Sequence, residues 1–205
     1  MAKYRKWMAW VGICAIALVG CGSTKMPETI EKTTISVQKE GEVTVYLVET
    51  FDKSYYDISE LTSMARKEAA DYNTEKQQGE KVPVSVLQVE EIAGDNVMIT
   101  YEYQDAETYM DFAEGVLFYG TVQEALAEGY NLEELPLSSV KDGTLAKEGY
   151  LQQEAKEKHV LITDQKAEIY CPYGVTYISQ GAVYNENGSV DTTAMNKNTV
   201  ILLKK

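Results

Sequence analysis

Apolar and polar residues alternate along much of the chain, and this two-residue period predicts β-strands. In the clearest run, Val43, Val45 and Leu47 fall on one face of a strand and the residues between them fall on the other. The same patterning indicates strands over residues 34–37, 43–51, 84–89, 97–103, 116–119, 159–163, 167–171, 175–179, 182–185 and 199–203.

Apolar residues at three- and four-residue steps predict helices elsewhere. The clearest helix follows Asp57, which forms an acidic variant of the capping box with Glu60, and it ends near Gly79. Shorter helices are predicted after the caps Asp105 and Thr121 and near residues 147–157.

Short polar segments that contain glycine predict turns between the strands, at residues 39–42, at residues 94–96 and at Asn187-Gly188. Residues 131–157 are acidic and otherwise favour a loop. The elements together predict an α+β fold: a mainly antiparallel sheet with one long and two or three short helices on one side.

The N-terminal residues have the pattern of a bacterial export signal. Lys3, Arg5 and Lys6 precede an apolar run over residues 11–19, and these nine residues are too few for a membrane-spanning helix, which needs roughly 20. The run closes with Leu18-Val19-Gly20-Cys21, which resembles the lipobox of bacterial lipoproteins. The resemblance implies that a diacylglyceryl group is attached to Cys21 and that the leader is cut off just before it.

On this interpretation the chain consists of a signal peptide over residues 1–20, a lipidated tether over residues 21–32 and an α+β extracytoplasmic domain over residues 33–205. Two acyl chains hold a protein stably at a membrane, so the expected location is the extracytoplasmic face of the cell membrane. The alternatives are a retained N-terminal membrane segment or an ordinary secretory signal cut elsewhere. Within the domain, the alternative is a split into two subdomains near residues 135–150.

The charge of the processed chain bears on its partners. Removing the leader takes away three of the 19 basic residues and none of the 32 acidic ones, which leaves a net charge of −16. Nucleic acid binding depends on Lys and Arg contacts to phosphate, so we expect no nucleic acid partner. Anionic lipid headgroups repel such a surface as well, and the acyl chains must therefore do the anchoring.

The processed chain contains few residues that could act as nucleophiles or activate one. Outside the leader and the lipidated Cys21, Cys171 is the single cysteine and His159 the single histidine, which excludes a disulfide-stapled domain and a multi-cysteine zinc site. A hairpin around residues 164–166 with residue 163 opposite residue 167 would set His159 beside Cys171. A shift of one residue would separate them, and a lone Cys and His in strands are more often core or edge residues.

Other candidate chemistry is weaker. The acidic pairs Glu90-Glu91 and Glu133-Glu134 point apart on a strand or a helix, and they favour a solvated surface. Residues 185–191 offer oxygen ligands, but the spacing of a calcium loop fails, and a tight hairpin explains them better. No glycine fingerprint for nucleotide phosphates occurs. The sequence nominates Cys21 for lipidation and no catalytic residue, metal ligand or cofactor.

The segment from Tyr55-Tyr56-Asp57-Ile58-Ser59-Glu60-Leu61 through Tyr72-Asn73 resembles uncharacterised lipoproteins of Gram-positive anaerobes, and it transfers no site residue. Three functions stay open: a binding or assembly module for a small ligand or an envelope protein, an envelope enzyme with an unrecognised carboxylate or tyrosine site, and an accessory subunit of a membrane complex. Exposed clustering of Tyr and Phe would favour the first or third. Converging carboxylates of raised pKa in a pocket would favour the enzyme.

We predict that Cys21→Ala abolishes lipid modification, because the acyl group requires that thiol. Mass spectrometry of the chain isolated from its host would detect the loss of acyl mass. Cys14→Ala, which changes a leader residue outside the lipobox, is the control and should leave modification intact. Normal processing and membrane retention of Cys21→Ala would refute the lipoprotein interpretation.

Overall fold

The structure, a computed structural model, describes residues 26–77, 79–132 and 136–205, and its strands form two sheets accompanied by helices. The strands are β1 (Thr34–Val37), β2 (Val43–Thr50), β3 (Val84–Ile92), β4 (Asn96–Tyr103), β5 (Leu117–Thr121), β6 (Leu137–Ser139), β7 (His159–Thr163), β8 (Glu168–Tyr170), β9 (Val175–Ser179), β10 (Val183–Tyr184), β11 (Val190–Asp191) and β12 (Thr199–Leu203). The helices are α1 (Ile58–Lys76), α2 (Ala106–Ala113), α3 (Val122–Ala127) and α4 (Tyr150–Glu154).

Sheet A has seven strands in the order β10-β11-β8-β1-β2-β4-β3, and sheet B has five in the order β5-β7-β12-β9-β6. Neighbouring strands are antiparallel throughout, except that β1 and β8 are parallel. The expected α+β class with mainly antiparallel strands is confirmed.

Side-chain caps begin the helices where the sequence predicts them. The Asp57 carboxylate accepts hydrogen bonds from the backbone N–H groups of Ser59 (2.7 Å) and Glu60 (3.0 Å) at the start of α1. At the start of α3, Thr121 and Glu124 form a reciprocal capping box. These bonds satisfy N–H groups that the first turn of a helix leaves without partners.

Sheet B is covered on both faces, and the middle positions of its central strands β7 and β12 are therefore apolar on both faces. Leu161 and Ile201 face sheet A and share one buried cluster with Ile35 and Val45 of that sheet. The intervening residues of β7 and β12 face α3 and α4 in a second cluster, whose buried members include Val160, Ile162, Val200, Leu202, Val122, Ala125, Leu151 and Ala155. The order of layers is sheet A, sheet B and a helical layer.

Helix α1 packs against β3, at the edge of sheet A. Its buried residues Ala65 and Ala69 are small, which lets the helix backbone approach the sheet. The Asn73 side chain donates to the Val84 carbonyl (2.7 Å) and accepts from the Val84 N–H (2.9 Å), in the manner of a neighbouring strand. Helix and strand edge are thus joined by apolar contact and by paired hydrogen bonds.

The hairpin between residues 159–163 and 167–171, on which the pairing of His159 with Cys171 depended, does not form. Strand β7 lies in sheet B and pairs with β5 and β12, whereas β8 lies in sheet A beside β1. The reason is the patterning of β7, which is apolar on both faces and needs cover on both, while β8 has polar Glu168 and Tyr170 on one face. The structure also contains the short strands β6 and β11, which the sequence pattern did not predict.

A hydrogen-bond network centred on Glu168 ties the β10–β11 hairpin to its neighbour β8 within sheet A. Its Oε1 accepts from Ser189 Oγ (2.6 Å), the Tyr170 hydroxyl (3.1 Å) and Asn187 Nδ2 (3.3 Å), and Lys32 Nζ lies 3.3 Å from Oε2. Burial opposes the charged form, but the bonds from Ser189, Asn187 and Lys32 outweigh it and hold the pKa of Glu168 below its usual value. The oxygen-rich segment 185–191 therefore belongs to a hairpin, and side chains of this segment take part in the network.

We predict that Glu168→Gln lowers the free energy of unfolding at neutral pH by about 1–3 kcal/mol, because hydrogen bonds to a buried charge are lost. The lowered pKa means that this contribution is present above the ordinary value of 4.5 and disappears as pH falls through the folded-state pKa. Urea unfolding of wild type and variant should therefore converge in acid. Glu186→Gln, an exposed change in the same hairpin, is the control. Equal stability of Glu168→Gln and wild type at pH 7 would contradict the assignment.

Candidate functional site

The described segment that precedes β1 is fixed to sheet A by two neighbouring residues. Lys32 Nζ forms ion pairs with Asp191 (2.7 Å) and Glu168 (3.3 Å). The Val48 N–H donates to Thr33 Oγ1 (3.2 Å), and the Thr33 hydroxyl donates to the Val48 carbonyl (3.3 Å). Residues 26–31 belong to the predicted tether, and these contacts lead them along the face of sheet A that points away from sheet B.

A cleft of about 480 Å³ lies between this segment and the sheet. Its lining includes Tyr46 of β2, Glu90 of β3 and Met98 of β4, together with Ala93 of the β3–β4 turn. Glu90 and Met98 are partners in the β3–β4 register, and Met98 is also the partner of Val48 on β2, two residues from Tyr46. The strand pairing therefore brings residues that are far apart in sequence onto one face.

The lining of the cleft divides into an apolar part and an acidic part. The apolar side chains belong to Met26, Pro27, Ile30, Tyr46, Ile92, Ala93 and Met98. The carboxylates belong to Glu28, Glu31 and Glu90, and none of them forms an ion pair with a described residue. Burial, with a smaller effect from Glu102, raises the pKa of the Tyr46 phenol. Tyr46 therefore lines the cleft as a neutral group, as a phenol of ordinary pKa would also do.

An exposed aromatic cluster lies at the same end of sheet A. The rings of Phe51 and Tyr56 are stacked at 4.9 Å, and Tyr55 meets Tyr56 edge-on at 5.0 Å. The Phe51 N–H donates to the Asp95 carbonyl (2.7 Å), which joins the cluster to the β3–β4 turn. Tyr55 is 75% exposed. These rings therefore form an exposed aromatic surface beside the β3–β4 turn.

The structure separates the strands of His159 and Cys171, so the predicted register between them does not form. The His159 ring centroid lies 5.5 Å from that of Tyr119 and 5.8 Å from that of Tyr173. Cys171 is buried in the core cluster between the sheets, and burial raises the pKa of its thiol to about 12. A nucleophilic cysteine needs an accessible thiolate, which this environment disfavours.

His159 occupies a pocket of aromatic rings beside a lysine. Burial, and then the Lys205 ammonium, lower the pKa of His159 against a weaker opposite effect of Glu124. His159 Nδ1 and the Tyr119 hydroxyl are buried, and neither forms a hydrogen bond of normal geometry with the residues that the structure describes. Lys205 Nζ donates to the Tyr173 hydroxyl (3.0 Å). The group consists of an imidazole whose pKa is lowered, two neighbouring phenols and the Lys205 ammonium.

The other residues that the sequence singled out lie partly outside the described ranges and partly in separate places. Cys21 and the pair Glu133-Glu134 lie outside the described residues. Glu90 is half-buried and lines the cleft, whereas its neighbour Glu91 is exposed. Within the described ranges, no three His, Cys, Asp or Glu side chains are grouped to hold a metal ion.

Sequence reasoning missed the cleft because its lining comes from separate segments that only strand pairing unites. One feature of the sequence could have indicated the cleft. The face of β2 opposite its core residues carries Tyr46 and Val48, which are large and partly apolar, although an uncovered antiparallel sheet normally has a polar outer face. The Met98 side chain, which is buried on the same face of β4, repeats the signal. Such positions indicate that another segment covers the sheet.

Comparison of the chain with protein-family models, with curated proteins and with solved structures finds no match. Among the helices of the described ranges, none combines the length and apolarity needed to cross a membrane.

We predict that the Cys171 thiol of the processed, folded chain resists labelling by a disulfide reagent. With a pKa of about 12, only about one thiol in ten thousand is ionised at pH 8. Absorbance at 412 nm with Ellman's reagent should report no fast reaction before denaturation and one thiol afterwards. Ser54→Cys adds an exposed thiol that should react at once. Fast labelling of Cys171 that depends on His159 would restore the nucleophile interpretation.

Proposed function

We propose that this chain is a bacterial lipoprotein, anchored through Cys21 to the extracytoplasmic face of the cell membrane, and that its domain is a binding module. The ligand site in this proposal is the cleft between residues 26–31 and sheet A. The observation that carries the proposal is the cleft itself, because its volume of about 480 Å³ is within the range typical of small-molecule sites. An apolar surface with a few polar groups is also typical of such sites.

The position of the cleft relative to the anchor supports the proposal. Met26 lines the cleft and follows Cys21 by five positions. Five residues span at most about 17 Å when fully extended. A lipid on Cys21 would therefore hold the cleft close to the headgroup region, where ligands released from or bound for the membrane are concentrated.

The carboxyl groups whose pKa is shifted have partners that favour their charged form. An acid catalyst requires a carboxyl group of raised pKa. Among the residues that the structure describes, the carboxyl groups with shifted pKa have lowered values, and they are Asp111, Glu124, Asp142, Glu168 and Asp191. Their partners are hydrogen-bond donors and lysines that favour the charged form, which suits structural carboxylates.

The proposal is tested by blocking the cleft. Ala93 lies at its end in an exposed turn, so an indole in Ala93→Trp should occupy part of the cleft without disturbing the core. Native mass spectrometry of the lipidated chain, extracted mildly from its host membrane, should detect a bound small molecule on wild type and not on Ala93→Trp.

The control is Tyr184→Trp, an exposed change on β10 at the opposite edge of sheet A, which should retain the bound mass. The same bound mass on all three proteins, or none on an acylated wild type, would count against the cleft as the ligand site. An unacylated Cys21 in the same spectra would count against the anchor.

A further inference from the structure

We infer that the cleft takes a small apolar ligand that carries a positive charge, of the alkylammonium class. This inference rests on the proposed function and adds the chemistry of the ligand. Three properties of the lining support it: apolar walls, a rim of one charge sign, and an aromatic ring within the cleft.

The walls favour an alkyl or similarly apolar body. Met26 and Met98 contribute flexible thioether side chains from opposite sides, one from the covering segment and one from the sheet. Ile30 and Ile92 add branched aliphatic surface. Methionine adapts to irregular apolar shapes, so such walls accommodate a chain without demanding one fixed outline.

The rim favours a cation. Glu28, Glu31 and Glu90 are the charged residues of the lining, and neither Lys nor Arg is among its described members. The nearest lysine in the chain sequence, Lys32, is engaged by Glu168 and Asp191. A cleft lined by one sign of charge focuses the potential and concentrates ligands of the opposite sign.

The Tyr46 ring supplies the third property. Aromatic rings attract ammonium groups through their negative faces, and quaternary ammonium ligands are commonly held in this way. A tyrosine phenol is neutral at physiological pH, and burial raises the pKa of Tyr46 further, so the ring offers a face and no competing charge. Carboxylates attract the charge of an ammonium group, and the face of the ring adds to this attraction.

The methionines provide the test. Of the seven in the chain, Met1 and Met8 lie in the leader, Met26 and Met98 line the cleft, and Met64, Met110 and Met195 lie elsewhere. The full lipidated chain, labelled with ¹³C at the methionine methyl groups and held in a non-ionic maltoside detergent, is titrated with hexyltrimethylammonium. Hexanol and hexanoate, with the same chain length, are the neutral and anionic comparisons.

The cation should shift the Met26 and Met98 methyl signals saturably and leave the other three unchanged. Half-saturation should come at a concentration about tenfold below that for hexanol, as expected from one ion pair and one ring contact. Hexanoate should produce no shift. Glu90→Gln should weaken binding of the cation about two- to fivefold, the range for one partly exposed ion pair. Glu91→Gln, an exposed change on the same strand, should leave binding of the cation unchanged.

Two results would overturn the ligand class while leaving a binding module in place. One is equal binding of hexanol and hexyltrimethylammonium. The other is a shift of the same methyl signals by a Lys/Leu peptide at lower concentration than by the small cation, which would indicate a protein partner. Unchanged Met26 and Met98 signals with every probe would overturn this inference and the proposed site together, whereas acylation of Cys21, measured by mass, tests the anchor separately.

Discussion

The structure depends on the pairing of β1, a strand of four residues that are all buried. On one side β1 pairs antiparallel with β2, and on the other it pairs in parallel with β8. Strand β1 therefore joins β2, β4 and β3 on one side to β8, β11 and β10 on the other. Without β1 the two halves of the sheet would have open edges, and their unpaired N–H and C=O groups would need other partners.

The same strand sets the path of the segment before it. Thr33 continues the contact with β2 through Val48, and Lys32 reaches the carboxylates of Glu168 and Asp191 on the neighbouring strands. Because both residues adjoin β1, the pairing of β1 determines where residues 26–31 lie. The cleft is therefore a product of sheet formation, and Glu168 contributes to it from a distance by holding Lys32.

The second constraint is the cover on both faces of sheet B. Its central strands β7 and β12 bury apolar residues toward sheet A and toward α3 and α4. That requirement separates His159 from the strand of Cys171 and leaves His159 among aromatic rings at the end of β7. The packing of the core also buries Cys171, whereas the cleft and the exposed aromatic cluster lie on the outer face and at one end of sheet A.

Local sequence determined the elements of this protein, because caps, turns and side-chain periodicity act over a few residues. Asp57 and Thr121 begin helices, the segment around Gly41 closes the first hairpin, and the alternation around Val45 fixes which face of β2 is buried. Only the tertiary structure decided that β7 and β8 belong to different sheets and that Tyr46, Glu90 and Met98 share a cleft with residues 26–31. Strand partners are chosen by the burial of whole faces, which joins residues more than fifty positions apart and leaves little trace in any one segment.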